Sequence, residues 1–348
     1  MTTQLDAHAV VLAGGIGSRF WPASTPERPK QLLPLAGPRA LIEETLDRAH
    51  HLLGPGRVAV VTSNALATAF DRMGVLRDTT VLTEPTARGT GPALAWAAHQ
   101  IASRDPDAVM ISMHADHRIE PAAGLAESVV RAAELAREGY LVCIGARPDR
   151  PETGYGYVRL AEDLGDGGHS VEAFVEKPDT ATAAGYLADG RYLWNTGIFV
   201  WRVSDLLAAI RELAPEIPLE PLERGDVETF FDECVPIAID VAVMERAERV
   251  ATVEARFEWD DVGVWDALGR VRESDAAGNI PVGRVRLLDA TDNIVWTEHT
   301  RASVIGVSGL VVVEAHGELL VLPRDRAAEL REIRARLDEF DDSETAGS

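Results

Sequence analysis

Residues 8–15 read HAVVLAGG, a short apolar run that stops at two glycines. Such a run, entering a tight turn, is typical of a buried parallel strand. The same pattern returns at 57–63 (RVAVVTS), 107–113 (DAVMISM) and 140–146 (YLVCIGA). Apolar residues at helical spacing separate these runs over 41–52, 90–104 and 121–139. Strand and helix alternating in this order predict an α/β fold with a mainly parallel sheet covered on both faces.

The second half of the chain has a looser pattern. Strand-like runs lie at 155–160, 171–176 and 197–203, and helices are predicted near 204–213 and 239–248. After Trp265, short β-rich runs follow closely: RVRLLD, NIVWTE, ASVIGV, LVVVEA and ELLVLP. An amphipathic helix is predicted near 325–338. We therefore predict a large domain over 1–275, a small β-rich domain with a terminal helix over 280–340, and a disordered tail over 341–348.

The composition excludes several classes of protein. The chain has 348 residues and a formal net charge of −22, which would repel a phosphate backbone, so nucleic-acid binding is not expected. Its two cysteines show no metal-finger spacing, which fits a reducing, cytoplasmic environment. No apolar stretch approaches the roughly 20 residues that span a bilayer, so membrane insertion is not expected.

The segment AGGIGSRFWPASTPERPKQLLPLAG (13–37) carries the first chemical signal. Its glycines leave backbone N–H groups free to surround phosphate oxygens, and Arg19 and Lys30 are the local cations. One cation can hold the β and γ phosphates while the other neutralises charge developing at the α-phosphate. The segment is neither a Walker A loop nor a complete dinucleotide fingerprint, because Phe20 occupies the third glycine position. A purely structural glycine turn is the alternative.

The order of motifs in this segment resembles a known family. G-G-x-G-[ST]-R, then W-P, then P-K-Q-x-L-P-L closely resembles the opening of mannose-1-phosphate guanylyltransferases, within the sugar-phosphate nucleotidyltransferase family. The resemblance covers most of residues 8–268. It implies the Rossmann-like, three-layer nucleotide-diphospho-sugar transferase fold, with a mainly parallel mixed sheet and a small C-terminal β-rich domain.

EPTARGTGPA (84–93) resembles the family's E-P-x-x-R-N-T-A-P-A segment, which lines the guanine and ribose pocket. Gly89 and Gly91 stand where the family has asparagine and alanine. Glu84, Arg88 and Thr90 are kept. The alternative is simply the start of a helix, with Thr90 as its N-cap.

Two aspartates fall on the family's metal positions. Asp116 lies in HADHRIEP (114–121), after a buried strand, where α/β sheets expose their ligand crevice. Asp261 lies in FEWDDVGVW (257–265), similar to the family's W-S-D-V-G-S-W, with Asp260 in place of serine. Two carboxylates from remote segments can bind one Mg²⁺. Taken singly, each aspartate would be a turn residue or a helix cap.

Sugar-side segments follow in the family's order: TGYGYV (153–158), VEKP (175–178), NTGIFVW (195–201) and IDVAVMER (239–246). The residues that this resemblance assigns to the sugar phosphate are Gly154, Glu176, Lys177, Asn195 and Asp240. Glycine permits close approach of a sugar ring, and the polar side chains can bind hydroxyls and phosphate. Hairpin turns and edge strands are the alternative, with Asp240 as a helix N-cap.

The implied reaction is transfer of GMP from GTP to mannose 1-phosphate, with Mg²⁺ as cofactor and pyrophosphate as second product. Catalysis is assigned to Arg19 and Lys30, and the metal to Asp116 and Asp261. The residues assigned to the nucleotide are Leu12, Ala13, Gly14, Gly15, Gly17, Ser18, Glu84, Arg88, Thr90 and Asp116.

Alternatives to this reaction remain at this stage. They are another hexose or heptose 1-phosphate, another nucleotide, and a catalytically silent nucleotide-sugar sensor. The isomerase domain fused to some members is not expected. The β-rich domain has two roles open to it, self-association as a homodimer or covering of the sugar site.

Overall fold

The computed structural model describes residues 5–337. The strands are β1 His8–Leu12, β2 Val58–Ser63, β3 Thr80–Glu84, β4 Val109–His114, β5 Arg118–Glu120, β6 Leu141–Ala146, β7 Tyr157–Gly165, β8 Gly168–Val175, β9 Tyr192–Arg202, β10 Val250–Glu254, β11 Glu258–Asp260, β12 Ile280–Val282, β13 Val285–Leu288, β14 Ile294–Thr297, β15 Ala302–Ile305, β16 Leu310–Ala315 and β17 Glu318–Pro323.

The α-helices are α1 Leu41–Leu53, α2 Asn64–Arg72, α3 Thr90–Ala102, α4 Ala122–Arg137, α5 Thr180–Asp189, α6 Val203–Leu213, α7 Glu220–Glu223, α8 Val227–Glu233 and α9 Leu268–Val271. Short 3₁₀ turns lie at Ser18–Phe20, Lys30–Leu32, Trp265–Ala267 and Arg324–Glu329. Residues 330–337 are helical. Among the described residues, no helix has both the length and the apolar character needed to cross a bilayer.

The predicted helix near 239–248 is present only as a short π-helix, Asp240–Met244, in which the N–H of Glu245 donates to the carbonyl of Asp240. The N–H of Ile239, just before this turn, donates to the hydroxyl of Thr90. The predicted final helix is divided into a 3₁₀ turn and the helical residues 330–337, and the predicted tail at 341–348 lies outside the described residues.

The chain divides into two compact units, each described by itself. Unit 1 comprises the residues up to Gly14, Thr45–Ala115 and Ile119–Trp259. Its nine-stranded sheet has the order β3-β2-β1-β4-β9-β6-β10-β8-β7. Strands β3, β2, β1 and β4 are parallel neighbours, and β6 pairs in parallel with β10, whereas β9 runs antiparallel to β4 and β6. The predicted mainly parallel, mixed sheet is confirmed.

Helices cover both faces of this sheet. Val10 and Leu12 of β1 are buried in a cluster that includes the apolar residues of α3 and α6. Val11 points to the opposite face, since successive strand residues alternate. Helix α4 packs along β6 and β9 and has no residue in this cluster, so it covers that opposite face. The layered α/β arrangement follows from apolar strands that are buried on both sides.

Unit 2 comprises Gly15–Glu44, Asp116–Arg118 and the residues from Asp260 onward. Its core joins residues that are remote in sequence: the Phe20 ring lies 5.1 Å from that of Trp265, which lies 5.5 Å from that of Trp296. Phe20 and Trp265 are fully buried. The glycine-rich segment is therefore packed in one unit with the C-terminal β-rich region. The domain boundary predicted at 275–280 stays a prediction. The two compact units are divided at other positions in the chain.

The β-rich region is a coil of parallel strands rather than a set of hairpins. β12, β14 and β16 stack in parallel as one sheet, β13 and β15 as another, and β17 returns antiparallel to β16. Buried Asn279 and Asn293 form a ladder inside the coil: the Asn293 amide donates to Asn279 Oδ1 at 3.0 Å, and Asn293 Oδ1 accepts the N–H of Leu310 at 3.0 Å. The ladder satisfies backbone groups that the turns leave unpaired.

Candidate active site

The glycine-rich loop of unit 2 is closed by its own hydrogen bonds. Gly15 and Gly17 have φ of 82° and 75°, values that favour glycine. The Ser24 hydroxyl donates to the Gly17 carbonyl at 2.8 Å, and the Gln31 amide donates to the Gly15 carbonyl at 3.2 Å. A Cβ on Gly15 would meet no atom within 4 Å, whereas one on Gly17 would overlap Cβ of Lys30. Glycine at 17 therefore sets how close Lys30 lies to the loop.

Lys30 is the centre of this part of the site. Its ammonium donates to Asp116 Oδ2 and to the backbone carbonyl of Asp261, each at 2.8 Å. The Lys30 side chain is only 8% exposed and that of Asp116 is 23% exposed, so the ion pair is largely screened from water. Three predicted residues from remote segments are thus brought together by one cation.

Arg19 differs from Lys30 in its surroundings. It is exposed, in the 3₁₀ turn Ser18–Phe20 that follows Gly17. Within residues 5–337 it forms no hydrogen bond or ion pair. Its guanidinium is therefore available to a phosphate group, for which its planar donor set is well suited.

The segment carrying Asp261 is held by its neighbour. Buried Asp260 accepts the N–H of Val262 at 2.7 Å and the Nε of Arg270 at 2.6 Å. Val262 has φ of 46°, and a Cβ on Gly263 would lie 2.7 Å from Asp261 Oδ2. Asp260, in the place of the family's serine, therefore fixes the turn that presents Asp261.

Apart from Ser18 of unit 2, the remaining residues predicted to bind the nucleotide lie in unit 1. Leu12 is the last residue of β1. The next residue, Ala13, still bonds to the neighbouring strand: its N–H donates to the Val61 carbonyl at 2.9 Å, and its carbonyl accepts the hydroxyl of Thr62 at 2.8 Å. Gly14 follows and is exposed; a Cβ there would meet no atom within 4 Å. The backbone is thus held rigidly up to the residue where the glycines begin.

Glu84 is a buried carboxylate at the end of β3. It is 9% exposed, and its Oε1 has no hydrogen-bond partner among the described residues. Burial raises the pKa of Glu84 to about 7. A buried acceptor without a donor is costly, so this oxygen is a candidate for binding a ligand.

Arg88 and Thr90 bind protein backbone in this structure. Arg88 Nε donates to the Phe231 carbonyl at 2.8 Å, and the Thr90 hydroxyl accepts the N–H of Ile239 at 3.0 Å. The alternative of Thr90 as N-cap is wrong: α3 begins at Thr90, and Gly89, with φ of 87° and ψ of 179°, is its N-cap. Such a backbone conformation is essentially restricted to glycine, which explains why asparagine is absent at 89.

Four of the five predicted sugar-side residues come together in unit 1. The Asn195 amide donates to Asp240 Oδ1 at 2.6 Å, and the Lys177 ammonium pairs with Glu176 at 2.8 Å. Asn195 is buried and Lys177 is exposed. Asp240 is partly buried; burial first, and then the negative charge of Glu176, raise its pKa to about 6. The alternative of Asp240 as N-cap is wrong, because its side chain binds Asn195 and Ile239 occupies the cap position.

The fifth predicted residue, Gly154, is exposed and donates its N–H to Glu152 at 3.1 Å. The glycine that allows close approach is Gly156, where a Cβ would lie 2.5 Å from Glu176 Oε2 and 3.3 Å from Asn195 Cβ. Sequence reasoning missed Gly156, although it is the second glycine of the same TGYGYV motif.

Sequence reasoning also missed an aromatic cluster beside these residues. The rings of Tyr155 and Trp194 lie 5.3 Å apart, and those of Tyr155 and Trp259 lie 4.8 Å apart. The Arg150 guanidinium lies 4.8 Å from the Trp194 ring. The aromatic residues of the segments TGYGYV and YLWN were the available signal. Tyr155 and Trp194 are buried and Trp259 is half-buried, so these rings form a packed apolar cluster.

Two family profiles together match most of the chain. The sequence profile of the Nucleotidyl transferase family matches residues 8–278, and that of the MannoseP isomerase/GMP-like beta-helix domain matches residues 283–337. The chain is 35% identical over 346 residues to the xanthan biosynthesis protein XanB of Xanthomonas campestris, covering 95% of this chain and 73% of that protein.

Two further known proteins are similar to this chain over most of its length. The chain is 33% identical over 341 residues to mannose-1-phosphate guanylyltransferase RfbM of Salmonella typhimurium, covering 93% of this chain and 71% of that protein. The crystal structure of mannose-1-phosphate geranyltransferase from Thermus thermophilus superposes with a TM-score of 0.88 at 36% identity, covering 96% of this chain and 100% of that chain. This chain therefore belongs to the nucleotidyl transferase family and carries a beta-helix domain of the MannoseP isomerase/GMP-like type.

Proposed function

We propose that this protein transfers GMP from GTP to α-D-mannose 1-phosphate, giving GDP-mannose and pyrophosphate. The observation that carries the proposal is the Lys30 ammonium, which binds Asp116 and the carbonyl of Asp261 within the family's glycine-rich motif. The name of RfbM, at 33% identity, supports the choice of mannose and guanine, and that of the Thermus thermophilus protein, at 36% identity, supports mannose 1-phosphate.

The reaction needs little covalent help from the protein. A phosphate oxygen of mannose 1-phosphate attacks the α-phosphorus of GTP, and the bond to the bridging oxygen breaks as pyrophosphate leaves. The attacking phosphate is already ionised near neutral pH, so catalysis consists of positioning and of charge stabilisation. In this proposal exposed Arg19 binds the β and γ phosphates, and Lys30 stabilises charge at the α-phosphate.

The side chains of Asp116 and Asp261 fit a magnesium ion in their chemistry. Both supply carboxylate oxygens, which Mg²⁺ prefers, and Lys30 holds their two segments at one place. When bound, Mg²⁺ would neutralise phosphate charge during the transfer. The carboxylate of Asp116 has Lys30 as its partner in this structure, so the cation and the metal would share its oxygens.

Glu84 is proposed as the residue that selects guanine. Its unpartnered buried oxygen can accept hydrogen bonds from the N1–H and 2-amino groups of guanine, neither of which adenine offers in the same positions. Hypoxanthine, in ITP, keeps N1–H and lacks the 2-amino group. We expect GTP to be favoured over ITP by roughly tenfold or more in kcat/KM, and Glu84→Gln to reduce that ratio. An unchanged ratio in Glu84→Gln would assign selection of guanine to other groups.

Pyrophosphate release by the purified protein tests the proposed reaction. Each common nucleoside triphosphate is paired with mannose 1-phosphate and with glucose 1-phosphate, with Mg²⁺ and with EDTA. Release with GTP and mannose 1-phosphate alone, abolished by EDTA, is the expected result. Release with another pair would change the substrate, and binding without release by any pair would indicate a nucleotide-sugar sensor. The cytoplasmic location and the homodimer stay predictions.

A further inference from the structure

Residues 234–239, here called the strap, run from α8 to Asp240 and cross the loop that begins α3. Three hydrogen bonds attach the strap to this loop. The Ile237 N–H donates to the Arg88 carbonyl, the Gly91 N–H donates to the Ile237 carbonyl, and the Ile239 N–H donates to the Thr90 hydroxyl, each at 3.0 Å. Two of the residues predicted to line the nucleotide pocket, Arg88 and Thr90, therefore hold the strap directly.

The strap lies closer to this loop than any larger residue would allow. A Cβ on Gly89 would lie 2.6 Å from the Ile237 carbonyl oxygen, and one on Gly91 would lie 3.0 Å from the same oxygen. Contacts this short against backbone require one of the two segments to shift. Gly89 and Gly91, which stand where the resembled family motif has asparagine and alanine, therefore allow the strap to lie this close.

The strap ends at a sugar-side residue. Asp240 follows Ile239 immediately, and its carboxylate accepts the Asn195 amide at 2.6 Å. The hydroxyl of Thr90 therefore fixes a peptide group that is one residue from the Asp240 Cα. These bonds connect the loop that begins α3 to the backbone that carries Asp240.

We propose that the strap couples the two substrates, with Thr90 and Gly91 acting as positioning residues for Asp240. This inference rests on the proposed function. Ordering of residues 88–91 by the nucleotide fixes the strap, fixes Asp240, and thereby increases affinity for the sugar phosphate. Because such coupling is reciprocal, the sugar phosphate increases affinity for the nucleotide by the same factor.

Calorimetric binding of mannose 1-phosphate, with and without α,β-methylene-GTP, measures this coupling, because the methylene bridge prevents transfer. In the unmodified protein the analogue should tighten sugar-phosphate binding about fivefold or more. Thr90→Val removes the acceptor for Ile239 at nearly constant volume and should abolish most of that factor, whereas Thr90→Ser should retain it. Thr90→Val with full coupling would overturn the proposal, as would a loss confined to binding of the analogue, which would make Thr90 a direct nucleotide ligand.

Gly91→Ala provides an independent test, because its Cβ would lie 3.0 Å from the Ile237 carbonyl oxygen, besides 2.9 Å from Cδ1 of Ile217. We expect a three- to tenfold loss of the coupling factor, with little change in either affinity measured alone. Gly185→Ala is the matched control: Gly185 lies in α5, and a Cβ there would meet no atom within 4 Å. Equal behaviour of the two variants would overturn the role of the strap.

A failure of the proposed function has a different signature. In that case the unmodified protein would release no pyrophosphate with GTP and mannose 1-phosphate. The hydrogen bond between Ile239 and Thr90 is then tested by amide hydrogen exchange. Thr90→Val should increase exchange of the Ile239 N–H, and Thr90→Ser should not. Unchanged exchange at Ile239 in Thr90→Val would contradict the strap whatever the substrates are.

Discussion

The Lys30 cluster of unit 2 and the Asp240 cluster of unit 1 balance their charges in opposite ways. Buried Lys30 has a carboxylate and a carbonyl as acceptors, each at 2.8 Å, so its charge is satisfied within the protein. Asp240 is bonded to a neutral amide, and the nearby Lys177 ammonium pairs with Glu176 instead. The first cluster is a fixed electrostatic device, whereas the second leaves a carboxylate that a donor from a substrate can satisfy.

Lys30→Met should break the first cluster and have the largest effect on turnover. It removes the cation while keeping most of the side-chain volume beside Gly17, so we expect kcat to fall by about 10²- to 10³-fold. Pyrophosphate release at saturating substrates measures the loss, and circular dichroism checks the fold. Arg28→Met is the control, since it removes a cation of the same loop that pairs with Glu298. Comparable losses in both variants would show that general destabilisation, and not the Lys30 charge, is responsible.

Gly17→Ala should disturb the same cluster less severely. The methyl group would overlap Lys30, and alanine at φ of 75° is strained by about 1–3 kcal/mol. We expect kcat to fall by roughly tenfold to a hundredfold, because a small displacement of a stabilising charge is costly. Gly56→Ala separates the two causes, since Gly56 has φ of 76° with open space around it. It should lower the free energy of unfolding and leave kcat unchanged.

Asp240→Asn should remove the negative charge of Asp240 with almost no change in the shape of the side chain. We expect kcat/KM for mannose 1-phosphate to fall by about tenfold at pH 8, because a charged acceptor is replaced by a neutral group. In the unmodified protein KM should rise as pH falls through about 6, the pKa of Asp240. The substrate phosphate also titrates near pH 6, so the informative quantity is the difference between the two pH profiles. Identical profiles would remove Asp240 from the sugar site.

The raised pKa of Asp240 also makes the free energy of unfolding depend on pH. Between its unfolded value of 3.8 and about 6, the folded protein holds a proton at Asp240 that the unfolded chain has lost. The free energy of unfolding therefore decreases as pH rises through this window because of this group. Asp240→Asn should lack that component, which urea unfolding at pH 4.5 and pH 7 will measure.

Asn293→Ala should have the smallest effect on turnover and a clear effect on stability. It leaves the N–H of Leu310 without its acceptor inside the coil, which costs about 1–3 kcal/mol. We expect Tm to fall by several degrees, with kcat at 25 °C within about twofold. Glu318→Ala, at an exposed position of β17, is the control. A large loss of kcat in Asn293→Ala would show that the coil tunes the Lys30 cluster directly.

The strands β1, β2, β4 and β6 could be predicted from the sequence because each is a local apolar run that is buried on both faces. β3 and β10 could not, since TVLTE and VATVE contain apolar runs of only two residues, too short to stand out as buried strands. At 239–248 the structure has a short π-helix rather than a regular α-helix, and the Ile239 N–H donates to Thr90, 149 residues away, a contact that no local pattern predicts.

The candidate site shows the same division. Arg19, Lys30, Asp116 and Asp261 were identified by motifs, and the structure brings the last three together. The contacts of Arg88 and Thr90 with backbone at 231–239, and the importance of Gly156 over Gly154, depend on segments that meet only after folding. Motifs in the sequence therefore identify the residues of the candidate site, whereas the partner that each residue contacts is known only from the folded structure.

The make-up of unit 2 bears on synthesis of the protein. Lys30 reaches the carbonyl of Asp261, 231 residues later, and Arg28 reaches Glu298, 270 residues later. A ribosome synthesises the glycine-rich loop long before Trp265, so Phe20 has no Trp265 ring to pack against until Trp265 itself has been made. The nascent loop therefore stays unpacked with Phe20 exposed, a side chain that chaperones can bind, and the Lys30 cluster is completed only after Asp261 has been synthesised.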